Sequence, residues 1–154
     1  MMATTCRAGV RPWAVAAALL LMAMAVIHAV EVPHYLDEHP AVGGLFVADA
    51  AAAIVLAVAV LRGRRPAWAL SALLAAATAV AFVLSRSTGL PGYRDDSWFE
   101  PLGGVPMGPL SLLVEGLVVL VAVIVLTAGR AVPEGTRAAR PAGGLRRTAN
   151  RSGR

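Results

Sequence analysis

The stretch WAVAAALLLMAMAVIHAV, residues 13–30, decides the fold class, because its only ionisable side chain is His28. Three stretches share this apolar character: GGLFVADAAAAIVLAVAVL at 43–61, AWALSALLAAATAVAFVLS at 67–85 and LSLLVEGLVVLVAVIVLTA at 110–128. At about 1.5 Å per helical residue, each is roughly 27–29 Å long, which matches a hydrocarbon core of about 30 Å. Helix is required there because lipid cannot satisfy exposed backbone groups. The sequence therefore predicts an all-α membrane protein with a bundle of four transmembrane helices over residues 13–128.

The composition agrees with a lipid environment and sets the boundaries of this domain. Hydrophobic residues make up 58% of the chain and charged residues 15%, whereas soluble domains carry about 25% charged residues. A short polar segment, 1–12, precedes the helices. The tail, 129–154, is rich in Arg, Gly, Ala and Pro, and we expect it to be disordered because it has little apolar surface to bury.

The arginines predict an orientation. The chain has no lysine, and its arginines precede the first apolar stretch, occupy the RGRR turn at 62–65 or follow the fourth stretch, apart from Arg86 and Arg94. The positive-inside rule then places both termini in the cytoplasm of a multi-pass protein of the plasma membrane. Flanking arginines also account for the high pI, so no nucleic-acid partner is expected.

An alternative concerns the first stretch, which could be a cleaved signal peptide ending at Ala29. Ile27 would then occupy the position three residues before the cut, where a small side chain is preferred. The charge pattern does not decide between the two, because cleavage leaves the other helices in the same orientation.

Four ionisable residues lie in or at the ends of the apolar stretches: His28, Asp49, Arg86 and Glu115. Each predicted helix supplies one, and all four lie in the half away from the RGRR turn. Such residues are costly in lipid and usually have a role. One interpretation is an ion-pair network in which Arg86 neutralises Glu115 or Asp49. A second is a polar pocket that binds an ion, a proton or a small ligand. A third is that each side chain reaches toward the membrane surface independently, with no shared site.

Metal binding is a further hypothesis, with His28 and His34 as candidate ligands. Met24 precedes His28 by one helical turn, so both share a face. Methionine and imidazole suit copper, and imidazole suits haem or zinc. The spacing matches no strict ligand pattern, however, and the sequence requires no cofactor.

The connection 86–109 contains many Gly and Pro residues together with the interfacial types Tyr93, Trp98 and Phe99. Its composition predicts turns and a compact lid anchored at the membrane surface.

Several segments carry a resemblance: IHAVEVPHY at 27–35, GGLFVADA at 43–50, SRSTGLPGY at 85–93 and SLLVEGL at 111–117. Together they resemble uncharacterised small four-helix integral membrane proteins of high-GC actinobacteria. The resemblance implies the four-helix topology and supplies no activity. It marks the following motif positions: His28, Arg86, Gly89, Leu90, Pro91, Gly92 and Glu115.

Two function classes remain. The first is a non-enzymatic membrane component whose polar cluster organises the bundle or a partner, which could be a second copy or another membrane protein. The second is an ion-, metal- or haem-binding membrane protein that uses the same cluster. No Ser–His–Asp set or metalloprotease motif is recognisable, which argues against an enzyme.

Overall fold

The computed structural model describes residues 5–99, 101–102 and 105–128, which form four helices and a two-stranded hairpin. The helices are α1 (Thr5–Glu38), α2 (Pro40–Leu61), α3 (Arg65–Ser87) and α4 (Met107–Ala128). Each is long and apolar enough to cross a membrane, so the prediction of a four-helix bundle of membrane-spanning type is confirmed. The tail predicted to be disordered, 129–154, lies outside the described residues.

Helix α1 is the central helix of the bundle. Its apolar span is the most deeply buried of the four, and it packs against both α2 and α4. Nine of the seventeen buried hydrophobic residues among those described are alanines, which let helices approach closely. Larger side chains fill the space between them: Leu21, Met24, Val60 and Val118.

The outer surface of the bundle carries large apolar side chains on every helix. Leu19, Leu45, Val55, Leu73 and Leu113 are all more than half exposed. In water this surface would be unfavourable, but lipid chains solvate it well. The exposed faces therefore agree with the apolar spans in indicating a membrane environment.

The connection between α1 and α2 differs from the prediction. The first two apolar stretches leave residues 31–42 between them as a polar connection, but residues 31–38 continue α1 to Glu38, residues 40–42 belong to α2, and His39 alone separates the two helices. Pro33 removes only one backbone donor, and polar side chains suit the end of a helix that leaves the lipid. Pro40 occupies the first turn of α2, where proline is well tolerated.

A glycine permits this sharp reversal. A β-carbon at Gly43 would lie 2.7 Å from the backbone nitrogen of Leu36, so α1 and α2 could not cross there with a larger residue.

At the opposite end of the bundle, residues 62–64 turn α2 into α3. We call this the arginine end, and we call the end with the α1–α2 reversal the histidine end. The connection from α3 to α4 also lies at the histidine end. It contains strands β1 (Pro101–Leu102) and β2 (Val105–Pro106), which pair antiparallel. The sequence predicted turns here but not a hairpin.

Candidate functional site

His28 forms the centre of a buried polar cluster. Its side chain is 2% exposed, and its Nδ1 lies 2.5 Å from Oδ2 of Asp49. On the other side of the ring, Nε2 lies 3.6 Å from Oε1 of Glu115 and 3.3 Å from Oγ of Ser111. The imidazole is therefore flanked by carboxylates on both sides. A ring protonated on both nitrogens satisfies both contacts.

Two hydroxyl groups orient these carboxylates. Ser111 lies one turn before Glu115 on α4 and donates to its Oε1 at 2.7 Å. The hydroxyl of Thr78 on α3 lies 3.0 Å from Oδ1 of Asp49 and 3.0 Å from the carbonyl oxygen of Leu74, and these two acceptors share its hydrogen. All four helices thus contribute to what we call the His28 cluster, which consists of His28, Asp49, Thr78, Ser111 and Glu115.

The cluster lies deep in the bundle. Asp49 and Glu115 are nine and eight residues beyond the first residues of α2 and α4, which corresponds to roughly 12–14 Å along the helix axes. Ionisable groups at this depth are costly in lipid, which explains why they face one another.

Nδ1 of His28 and Oδ2 of Asp49 make no hydrogen bond of good geometry, but they contact each other at 2.5 Å. One further atom of the cluster has no such contact. Oε2 of Glu115 has no hydrogen-bond partner among the described residues, although the side chain is only 1% exposed. Burying a polar oxygen without a partner costs free energy. Such an atom marks a place where a ligand group or water would be favourable.

A cavity of about 590 Å³ adjoins the cluster, a volume typical of small-molecule sites. Glu115, Asp49 and His28 all line it. Most of the remaining wall is apolar, including Ile27, Leu45, Ala52, Leu74, Ala81 and Met107.

The cavity is open on the side between α2 and α3. Its exposed lining residues there are Leu45 and Ala48 on α2, and Ala77 and Ala81 on α3. These two helices pack against each other less extensively than α1 with α2 or α3 with α4. The opening therefore faces the surface that lipid would cover.

Arg86 lines the cavity at the histidine end of the bundle, which we call the mouth and which is distinct from the gap between α2 and α3, and it is not in the cluster. The expected ion pair with Glu115 or Asp49 is replaced by one with Asp95, whose Oδ2 lies 2.7 Å from a terminal guanidinium nitrogen. The guanidinium also donates to the carbonyl of Ser97 at 2.8 Å, and it stacks 3.8 Å above the Phe82 ring. The α3–α4 connection folds back over the helix ends and brings Asp95 closer than either buried carboxylate.

Aromatic side chains surround the mouth. Tyr35 and Phe46 lie in tilted contact with ring centroids 4.8 Å apart, and Tyr93 approaches Tyr35 edge-on at 6.1 Å. Burial raises the pKa of the Tyr93 hydroxyl above its ordinary value, and the hydrogen bond with Tyr35 adds to the rise. The neutral hydroxyl lies 3.2 Å from Oδ2 of Asp95 and donates to it.

The two candidate metal ligands, His28 and His34, both line the cavity but contact different carboxylates. His34 is half exposed, and its Nδ1 lies 3.5 Å from Oε1 of Glu38, while both ring nitrogens of His28 face carboxylates or Ser111. Among the described residues, no group of three or more His, Cys, Asp or Glu side chains is arranged to hold a metal ion.

No family model, curated protein or solved structure matches the chain. The site is therefore interpreted from its own geometry.

The cluster contains the residue types of a catalytic triad, which the sequence did not reveal. Ser111, His28 and Asp49 are connected in that order, but the Ser111 hydroxyl donates to Glu115. Its hydrogen is therefore not directed to His28, which would have to accept it in a nucleophilic mechanism. The arrangement holds carboxylates in place and does not activate a nucleophile.

Sequence reasoning missed Thr78, Ser111 and Asp95. Neutral hydroxyls within an apolar helix are common and carry no charge signal. The one available signal was the spacing of Ser111 and Glu115, four residues apart on one helix face.

Proposed function

We propose that this chain is a multi-pass membrane protein that binds an amphipathic small molecule inside its helix bundle. The polar group of the ligand would lie against the His28 cluster. Its apolar part would lie along the aliphatic and alanine wall. The observation that carries the proposal is the unpartnered Oε2 of Glu115, which is buried at a cavity of about 590 Å³.

A purely structural cluster would explain less. His28, Thr78 and Ser111 already contact three of the four carboxylate oxygens of Asp49 and Glu115. A bundle stabilised only by these contacts would gain nothing from a fourth oxygen left unpaired beside a cavity. A ligand that supplies a partner for this oxygen removes the cost.

We further propose that the ligand enters from the lipid phase, through the gap between α2 and α3. The gap is lined by Leu45, Ala48, Ala77 and Ala81, which admit an apolar chain without polar groups in its path. With the arginine end in the cytoplasm, as the positive-inside rule requires, the histidine end faces outward across the plasma membrane. The ligand would then come from the outer leaflet.

The second candidate is a bundle-organising or partner-binding component, and one observation favours it. The His28 cluster joins all four helices, so it fixes their register whether or not a ligand is present. The two functions predict different results for a variant that fills the cavity and leaves the cluster intact. Such a variant should lose ligand binding if the cavity is a binding site, whereas a purely structural cluster does not need the cavity.

A cavity-filling variant tests the proposal. Ala77→Phe places a ring in the opening, and the matched control Ala76→Phe places the same ring on an exposed position outside the cavity lining. Each protein, embedded in lipid nanodiscs, is incubated with decylammonium, 1-decanol and decanoate and examined by native mass spectrometry. We expect an adduct of at least one amphiphile with the wild type and Ala76→Phe, and its loss in Ala77→Phe. The proposal is wrong if no adduct forms, or if Ala77→Phe binds as well as the control.

A further inference from the structure

We infer that the ligand of this cavity carries a protonated amine, which binds Oε2 of Glu115 between the His28 cluster and the aromatic side chains at the mouth. This inference rests on the proposed function and specifies the chemical class of the ligand.

The hydrogen-bond inventory of the cluster favours a donor. The hydroxyl of Ser111 donates to Glu115 and that of Thr78 donates to Asp49. Ser85, another hydroxyl on the cavity wall, donates to the carbonyl of Phe82 at 2.8 Å. The hydrogens of these three hydroxyl groups are therefore committed within the protein, and that of Tyr93, at the aromatic part of the wall, is donated to Asp95. The group left for a ligand is a carboxylate oxygen, which accepts hydrogen bonds.

The charge balance of the cluster favours a cation. Asp49 and Glu115 supply two carboxylates, and His28 supplies one positive charge even when both ring nitrogens are protonated. With both carboxylates ionised, one negative charge remains uncompensated within the cluster. A buried charge is tolerated when it is paired with an opposite charge and hydrogen-bonded. A ligand ammonium group would provide both the opposite charge and the hydrogen-bond donor.

Arg86 does not supply the missing charge. Its guanidinium is paired with Asp95 and held by the carbonyl of Ser97. Its positive charge is therefore balanced at the mouth of the cavity. For the same reason, Arg86 is not available to a carboxylate or phosphate group of a ligand.

The aromatic walls fit the same ligand class. Tyr35 and Phe46 line the cavity together, and the Phe46 ring lies 5.1 Å from the His28 ring. A cation near the cluster would lie beside π faces, which attract positive charge. The stacking of Arg86 on Phe82 at 3.8 Å shows this interaction already in use within the same cavity.

A comparison of three matched amphiphiles tests the inference. Decylammonium, 1-decanol and decanoate share one chain and differ in the head group. We expect decylammonium to bind most tightly to the wild type, with competition measured in neutral phosphatidylcholine nanodiscs. Glu115→Gln keeps the shape of the side chain and removes its charge, so it should weaken decylammonium binding by roughly 10- to 100-fold, the usual worth of a hydrogen bond to a charged group. Glu38→Gln, at an exposed position outside the cavity lining, should leave binding unchanged.

Each outcome is informative. If 1-decanol or decanoate binds more tightly than decylammonium, or if Glu115→Gln binds decylammonium as well as the wild type, the inference that the ligand carries a protonated amine is refuted. The proposal that a ligand binds in the cavity is not affected by either result. Absence of all three adducts refutes the proposed function as well. A second set of nanodiscs containing phosphatidylethanolamine distinguishes the source of the amine. A phosphatidylethanolamine adduct lost in Glu115→Gln identifies a lipid head group, and decylammonium binding alone identifies a free amphipathic amine.

Discussion

Replacing His28 by alanine removes the group that separates Asp49 from Glu115. The imidazole is 2% exposed and contacts both carboxylates, so its loss leaves two negative groups facing each other. Breaking a buried ion pair by removing one partner costs about 3–5 kcal/mol of unfolding free energy. Here Asp49 keeps its hydrogen bond from Thr78 and Glu115 keeps the one from Ser111, which favours the lower end, about 3 kcal/mol.

The alanine substitution also leaves a void, so the pair itself must be isolated by a double-mutant cycle. The cycle combines His28→Ala with Asp49→Asn, which keeps the shape of the carboxylate and removes its charge. We expect a coupling energy of about 2–3 kcal/mol, the upper part of the range for residues in contact. Asp49→Asn should therefore reduce the free energy of unfolding much less in the His28→Ala background than in the wild type.

The assay is reversible unfolding in mixed micelles of detergent and dodecyl sulfate, followed by circular dichroism. The control cycle uses His34 and Glu38, another histidine–carboxylate pair, with side chains 51% and 59% exposed. Exposed helical pairs of this kind are worth about 0.3–0.5 kcal/mol. A His28–Asp49 coupling no larger than the control coupling would refute the view that the buried contacts stabilise the bundle.

Three further predictions concern other parts of the molecule. In thermal-unfolding cycles, the effect of Arg86→Ala should couple with that of Asp95→Asn and be additive with that of Glu115→Gln, because Arg86 contacts Asp95 and not Glu115. Coupling with Glu115→Gln and additivity with Asp95→Asn would contradict the structure. Gly43→Ala should reduce stability by about 1–3 kcal/mol, typical of overpacking, since the new methyl group would meet the backbone of α1; a neutral effect in dodecyl sulfate unfolding would show that the helices separate easily. Asp96→Cys, in a chain whose single native cysteine is replaced, should react with an impermeant maleimide in intact cells, and protection until the membrane is opened would reverse the proposed orientation.

The fold followed from sequence because its main signal is simple. Four stretches of 18 or 19 largely apolar residues are difficult to place anywhere except across a membrane. The helix ends were less predictable. Polar residues such as those at 31–38 are found both in loops and at helix ends that leave the lipid, and only the contacts of α1 with α2 distinguish the two.

The site was predictable where charge marks it. His28, Asp49 and Glu115 stand out in apolar stretches because each is costly there without a partner. The partner of Arg86 could not be predicted, since it depends on how the α3–α4 connection folds back over the helix ends. Thr78 and Ser111 are neutral, and their role becomes visible only when four helices bring their hydroxyls to the carboxylates.

The central claim is that a ligand lies in the cavity with its head group at Glu115, and photo-crosslinking tests it most directly. An alkylamine with a diazirine beside its amino group is irradiated with the protein in nanodiscs, and the labelled peptides are identified by mass spectrometry. The account predicts labelling at Glu115 and the adjoining cavity wall, competed by excess decylammonium and lost in Ala77→Phe but not in Ala76→Phe. Labelling confined to lipid-facing positions such as Leu73 and Leu113, or equal labelling of both phenylalanine variants, would contradict it.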